Sequence, residues 1–157
     1  MKRGQNMKTE SHKSSTGMDA NVFAMLVYVI TIILGWIPYL YYAAWVFPLV
    51  VILVIEKDSV FVKRHAAQAM ALYIVVAIIH IIFDIISAAI VFSLYSNPFG
   101  LFGAAGGAMA VSVISGIIGI LLTLAAVFGA VKAYQYEDYT IPLIGGLGEK
   151  LAAKLGK

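Results

Sequence analysis

The sequence predicts an all-α membrane protein: a four-helix transmembrane bundle with a short first hairpin and a C-terminal amphipathic helix at the membrane interface. Three observations predict it. Hydrophobic residues fill 62% of the 157 positions and charged residues 12%, about half the charged share of a soluble domain. A short chain keeps a high surface-to-volume ratio, so a soluble core could not hide that much apolar surface. Uncharged runs extend over 22–55, 66–83 and 85–131, and a helix crosses the hydrocarbon with roughly 20 apolar residues.

The chain divides into three parts. Residues 1–20 are rich in Lys, Ser, Thr and Gly without an apolar period, which predicts a flexible cytoplasmic tail. Residues 21–138 form the four-span domain, and 139–157 the amphipathic segment. The first apolar run starts after about twenty polar residues, too late for a signal peptide, and no cleavage site follows it. Asp19 or Asn21 is the expected cap of the first helix. Gly35-Trp36-Ile37-Pro38 interrupts the first run, because proline lacks an N–H and restricts its predecessor. A hairpin turn is therefore expected over 35–42. Tyr39, Tyr41, Tyr42 and Trp45 then sit at lipid headgroups. The second helix runs to Ile55 and is kinked at Pro48. Both helices are short, and a hairpin that dips into the membrane and returns is the alternative to two crossings.

Glu56-Lys57-Asp58-Ser59 is the charged loop, with Asp58 or Ser59 as the next cap. Phe61, Arg64, His65 and Gln68 then share one helix face by their i, i+3, i+4, i+7 spacing. The third helix continues to about Ser93. A Gly-rich loop with the breaker Asn97-Pro98 is expected over 95–107, and a fourth helix from Ala108 to Tyr134. Its stripe of Ser112, Ser115, Gly116, Gly119, Thr123, Ala126 and Ala130 suits close helix packing, in its own bundle or in a dimer seam. Leu147, Leu151 and Leu155 recur every four residues among lysines, as in a helix lying on a membrane surface.

Every Lys and Arg falls in the N-terminal tail, in 56–64, or from Lys132 onward, and the loops at 35–42 and 95–107 carry no charge. Positive residues stay on the cytoplasmic side. Both termini are therefore expected in the cytoplasm, in a multi-pass plasma-membrane protein. The net charge of +3 is spread over these segments with no basic stripe, so nucleic acid is excluded as a partner. The chain has no cysteine, which excludes disulfides and thiolate chemistry.

His65 and Gln68, with Arg64 beside them, lie one turn apart at a helix entrance. They either bind a headgroup, a peptide or a partner, or tie the helix start to Glu137 and Asp138 on the same side. His80 and Asp84 stand i, i+4 on the third helix and should face each other. Asp84 is the sole acidic residue within a span. An intramembrane carboxylate costs about 2.5–3.5 kcal/mol near the bilayer centre, so it should face the bundle, with His80, Ser112, Ser115 or Thr123 as partner. His65 and His80 are about 22 Å apart along one helix and cannot share a metal.

The segment Glu56-Lys57-Asp58-Ser59-Val60-Phe61-Val62-Lys63-Arg64-His65-Ala66-Ala67-Gln68-Ala69, together with the Ala, Glu, Tyr, Pro arrangement after the last span (Ala133, Glu137, Tyr139, Pro142), resembles a family of small prokaryotic membrane proteins of unknown function. That family is related to the twenty-kilodalton membrane subunit of the chloroplast inner-envelope import translocon. Tyr136 stands where the family usually has glycine. The resemblance implies a four-helix bundle and no activity.

No nucleophile–base–orienter set, phosphate loop, cofactor motif or metal-ligand set stands out, so an enzyme is not expected. The expected function is a membrane scaffold or accessory subunit, linked to translocation or complex assembly. It would act through the bilayer and other membrane proteins or self-association. The alternative is a small oligomeric transporter or channel using Asp84 and His80.

Overall fold

A computed structural model of the protein describes residues 8–96 and 100–156. Five α-helices form among the described residues, and no β-strand: α1 (Ala20–Trp36), α2 (Val46–Val50), α3 (Val60–Ser96), α4 (Leu101–Tyr134) and α5 (Gly145–Leu155). The expected breaker Asn97-Pro98 lies outside the described residues, as do 1–7 of the tail and Lys157.

In α1, Ala20, Phe23, Ala24, Val27, Tyr28 and Thr31 are buried, the stripe an amphipathic helix presents to a core. Ile33, on the other side, is 56% exposed. Neither expected side chain caps the helix. Asp19 makes no side-chain cap bond and pairs with Lys13 at 2.8 Å. Asn21 donates its amide to the Tyr134 carbonyl at 2.8 Å, where α4 has run out of helical partners. Tertiary partners outcompete the local caps.

The hairpin turn falls where Gly35 and Pro38 place it. Tyr39 takes the left-handed conformation at φ 66°, a 3₁₀ turn covers Leu40–Tyr42, and the Trp45 indole donates to the Tyr42 carbonyl at 2.9 Å. Gly35 is required here, since a Cβ would come within 2.3 Å of the Tyr73 ring. Pro48 lies in the first turn of α2, where its missing N–H is not needed. From Val51 the helix widens into a π turn over Val51–Ile55.

At 1.5 Å per residue, Val46–Ile55 reaches only about 15 Å and α1 about 25 Å. Among the described residues, α3 and α4 are the two helices long and apolar enough to cross a membrane.

Ser59 caps α3, its hydroxyl accepting from the Val62 N–H at 3.2 Å. The first turns of α3, Phe61 to Tyr73, give the core its longest buried stretch, and beyond Ala77 the helix becomes exposed from Ile78. α4 begins at Leu101, so most of the expected glycine-rich loop is helix. A glycine costs a helix about 1 kcal/mol, but in apolar surroundings the helix is what satisfies each N–H and C=O. The small-residue stripe splits. Ala126 and Ala130 are buried in the core, while a Cβ on Gly116 or Gly119 would meet nothing.

α5 does not lie free on a surface. It packs against α3, with Gly148 so close that a Cβ would stand 3.0 Å from the Gln68 Cα. Leu151 and Leu155 pack on the core, and Leu147 stays 42% exposed. The tail expected to be flexible is also engaged from Lys8 onward. The Thr9 N–H donates to the Tyr136 carbonyl at 2.8 Å.

Candidate functional site

Three separate stretches of chain meet at the basic end of the bundle. The entrance of α3 presents Arg64, His65 and Gln68 to the segment that follows α4. The Arg64 guanidinium contacts Asp138 at 2.9 Å and Glu149 of α5 at 3.9 Å. His65 Nε2 lies 3.1 Å from the Glu137 carbonyl. A carbonyl only accepts, so Nε2 carries the hydrogen, leaving Nδ1 to accept from the Tyr28 hydroxyl at 3.5 Å. The Gln68 amide donates to the Tyr139 carbonyl and accepts from the Ile141 N–H at 3.0 Å. Glu137 itself pairs with Lys132 at 2.8 Å. His65 and Gln68 are 1% and 3% exposed, so the pair faces the chain's own backbone.

The loop before α3 forms the second half of this clamp. Glu56 is fully buried. Its carboxylate accepts from the Ser15 hydroxyl at 2.6 Å, the Ser15 N–H at 3.1 Å, the Asp58 N–H at 3.0 Å and the Ser59 N–H at 2.8 Å. Burial alone would raise its pKa. The bonds from the Ser15 hydroxyl and from the Ser59, Ser15 and Asp58 amides outweigh that and hold the carboxyl below its ordinary range. His12 adds a bond to the Ser59 hydroxyl at 2.8 Å.

Sequence reasoning missed Glu56, Ser15, His12 and Tyr28. An acid three residues before a helix cap was a usable signal for Glu56. Nothing in the run Ser14-Ser15-Thr16 marks Ser15.

His80 and Asp84 are placed otherwise than expected. They are not paired with each other. The His80 ring stacks on Tyr41, with centroids 4.1 Å apart and planes at 22°. Asp84 accepts a hydrogen bond from the Tyr42 hydroxyl. Both partners come from the aromatic turn after α1. Ser112 and Ser115 bond carbonyls of their own helix and are not partners of Asp84.

The relay expected of an i, i+4 pair thus has no bond joining its members. Arg64 and Asp84 are twenty residues apart on one helix, about 30 Å by the helical rise, which is the thickness of the hydrocarbon core. Asp84 therefore stands far from the clamp, at the level of Tyr42 in the aromatic turn. Among the described residues, no three His, Cys, Asp or Glu side chains gather as a metal site.

Comparison with protein families overturns the resemblance to the translocon-related family. Hydropathy is shared by helical membrane proteins at large, and the His-x-x-Gln step is explained locally, since any helix entrance packed against an irregular segment needs side chains for its carbonyls and amides. No curated protein and no solved structure matches the chain. The family model that does match covers residues 19–147, well over half of the sequence, and the chain belongs to the MamF/MmsF family, the magnetosome magnetite crystal formation proteins.

Proposed function

We propose that the chain is a non-catalytic accessory protein of the membrane in which magnetite crystals form, where it works through contacts with other membrane proteins or further copies of itself. The observation that carries the proposal is the clamp. It fastens the N-terminal segment, the loop at Glu56 and the C-terminal segment to one end of the bundle, and family membership supplies the setting. Every Lys and Arg of the described residues lies in the segments at this end. By the retention of positive charge the clamp faces the cytoplasm, and the aromatic turn with Asp84 faces the compartment. In this reading α3 and α4 cross the magnetosome membrane rather than the plasma membrane, and α1 with Val46–Ile55 forms a hairpin that reaches partway or crosses in a thinned bilayer.

Two experiments test it. Cells lacking the chain should form magnetite crystals of altered size or number by electron microscopy, restored by the full chain. Unchanged crystals would overturn the role. Single cysteines at Lys8, Lys57, Asn97 and Lys154 report topology in this cysteine-free chain. In intact cells or sealed magnetosomes, the clamp-side positions 8, 57 and 154 should label only from the cytoplasmic face, and position 97 only from the other. The rival transporter reading demands solute flux in proteoliposomes that Asp84→Asn abolishes.

A further inference from the structure

A cleft of about 360 Å³ opens between the aromatic turn and the α3–α4 pair, within the range of small-molecule sites. Its lining includes the rings of Trp36, Tyr41 and Tyr73 together with Gly116 and Gly119. A Cβ on either glycine would meet nothing within 4 Å, so these two positions face open space. Among the described residues, no Asp, Glu, Lys or Arg lines the cleft.

Its polar groups include hydroxyls and one imidazole. Tyr73 lines the cleft and is 3% exposed as a residue; its hydroxyl has no hydrogen-bond partner among the described residues and is not sealed off by protein, since no fully buried side-chain oxygen among them is unpaired. Among the described residues His80 makes only its ring contact with Tyr41, so its ring nitrogens are available to a ligand, and Thr123 offers a third polar group. A hydroxyl that has no protein partner and opens on a cleft is free to donate to a ligand there. Tyr73 and His80 lie about 14 and 24 Å along α3 from Arg64, a depth at which a ligand arrives from lipid.

We infer that this cleft binds an uncharged, flat, lipid-soluble ring compound carrying acceptor oxygens, the chemistry of an isoprenoid quinone. Aromatic rings to stack on and glycines that leave space free suit a planar ring. Tyr73 and His80 donate to its oxygens, and the absence of charge in the lining disfavours a phospholipid headgroup or a metal ion. The inference does not depend on the crystal-formation role.

The test uses the full chain in lipid nanodiscs with decylubiquinone as probe. Trp36 borders the cleft, and a Trp45→Phe background leaves it the sole reporter of the chain's two tryptophans. Quenching of Trp36 should saturate. Tyr73→Phe should weaken binding about three- to tenfold, as for the loss of one hydrogen bond. Gly119→Ile should abolish it by filling the cleft while the melting temperature holds, and Gly116→Leu does the same should Gly119→Ile fail to fold. Quenching that rises without saturation equally in all variants is partition into lipid and overturns the inference. Saturable quenching untouched by the glycine substitutions places the compound elsewhere and also overturns it, as does displacement of the probe by phospholipid alone.

Discussion

Replacing Gln68 by methionine isolates the part of the clamp that the fold depends on most. Methionine keeps an unbranched chain of similar length, so the close approach of Gly148 is undisturbed. What is lost is both hydrogen bonds, one to the Tyr139 carbonyl and one from the Ile141 N–H. Each buried group left unsatisfied costs about 1–3 kcal/mol. Ile141 is 2% exposed, so its amide has no water to turn to and falls at the upper end. The Tyr139 carbonyl is only partly covered and falls at the lower end. The net loss should be about 2–4 kcal/mol, a large share of a typical folding free energy of about 5–15 kcal/mol. Unfolding in mixed micelles measures the total. Hydrogen exchange at the Ile141 amide measures the local part and should accelerate by about 30- to 1,000-fold. A stability change below about 0.5 kcal/mol with unchanged exchange at Ile141 would refute the clamp as the anchor of the C-terminal segment.

The ionised form of Glu56 is favoured by folding, so its contribution is complete above its ordinary value of 4.5 and is lost as pH falls through the lower folded value. The melting temperature should therefore drop on acidification below that value in the parent, while Glu56→Gln starts lower at neutral pH and responds less. Gly35→Ala forces a methyl against the Tyr73 ring and should cost about 1–3 kcal/mol, relieved when Tyr73 is also reduced to alanine; equal melting of parent and single variant would count against the contact. Asp84→Leu should change stability by less than about 1 kcal/mol, as for an exposed pair, whereas a gain near 3 kcal/mol would place Asp84 in hydrocarbon. Leu143 is fully exposed with φ 68°, so Leu143→Gly should stabilise by about 1 kcal/mol, and a loss on thermal melting would disprove that backbone reading.

Much of the bundle could be read from spacing. The stripe of α1 from Ala20 to Thr31 follows a helical period, and so does the face of α3 that holds Phe61, Arg64, His65 and Gln68. Their link to the segment after α4 followed from topology, since both must lie on one side of the membrane. Contacts without a period were out of reach. Ser15 sits in a run that composition marks as tail, and only the fold brings it to Glu56, forty-one positions away. Tyr42 meets Asp84 across forty-two positions for the same reason. Glycine misled over 100–107, read as a loop where the apolar setting imposes helix. At 148 nothing in the spacing marks the glycine that seats α5 on Gln68. The family assignment failed because a short polar step at a helix entrance meets a local structural need and is weak evidence of ancestry.

The two ends of the molecule solve opposite problems. At the basic end, irregular backbone is buried, and every polar group there needs a protein partner. The clamp supplies them, and no buried side-chain nitrogen or oxygen among the described residues is left unpaired. Beyond Asp84 the reverse holds. α3 is about 55 Å long and α4 about 51 Å, against a hydrocarbon core of about 30 Å. Measured from Arg64, about 18 Å of α3 continues past Asp84. That tip and the start of α4 are apolar: Ile85 is 64% exposed on α3, and Phe102 88% and Met109 71% on α4. A large apolar side chain left in water forgoes about 1.5–3 kcal/mol of burial, so three of them outweigh any tilt that would cost a fraction of a kcal/mol per Å of mismatch. A single copy standing upright in a flat bilayer is therefore not the lowest-energy arrangement for this chain. Tilting buries part of the tip, and contact with a neighbouring membrane helix buries the rest. The accessory role proposed above draws on that same excess of apolar helix, since the surface that a lone copy cannot cover is the one it has available for partners.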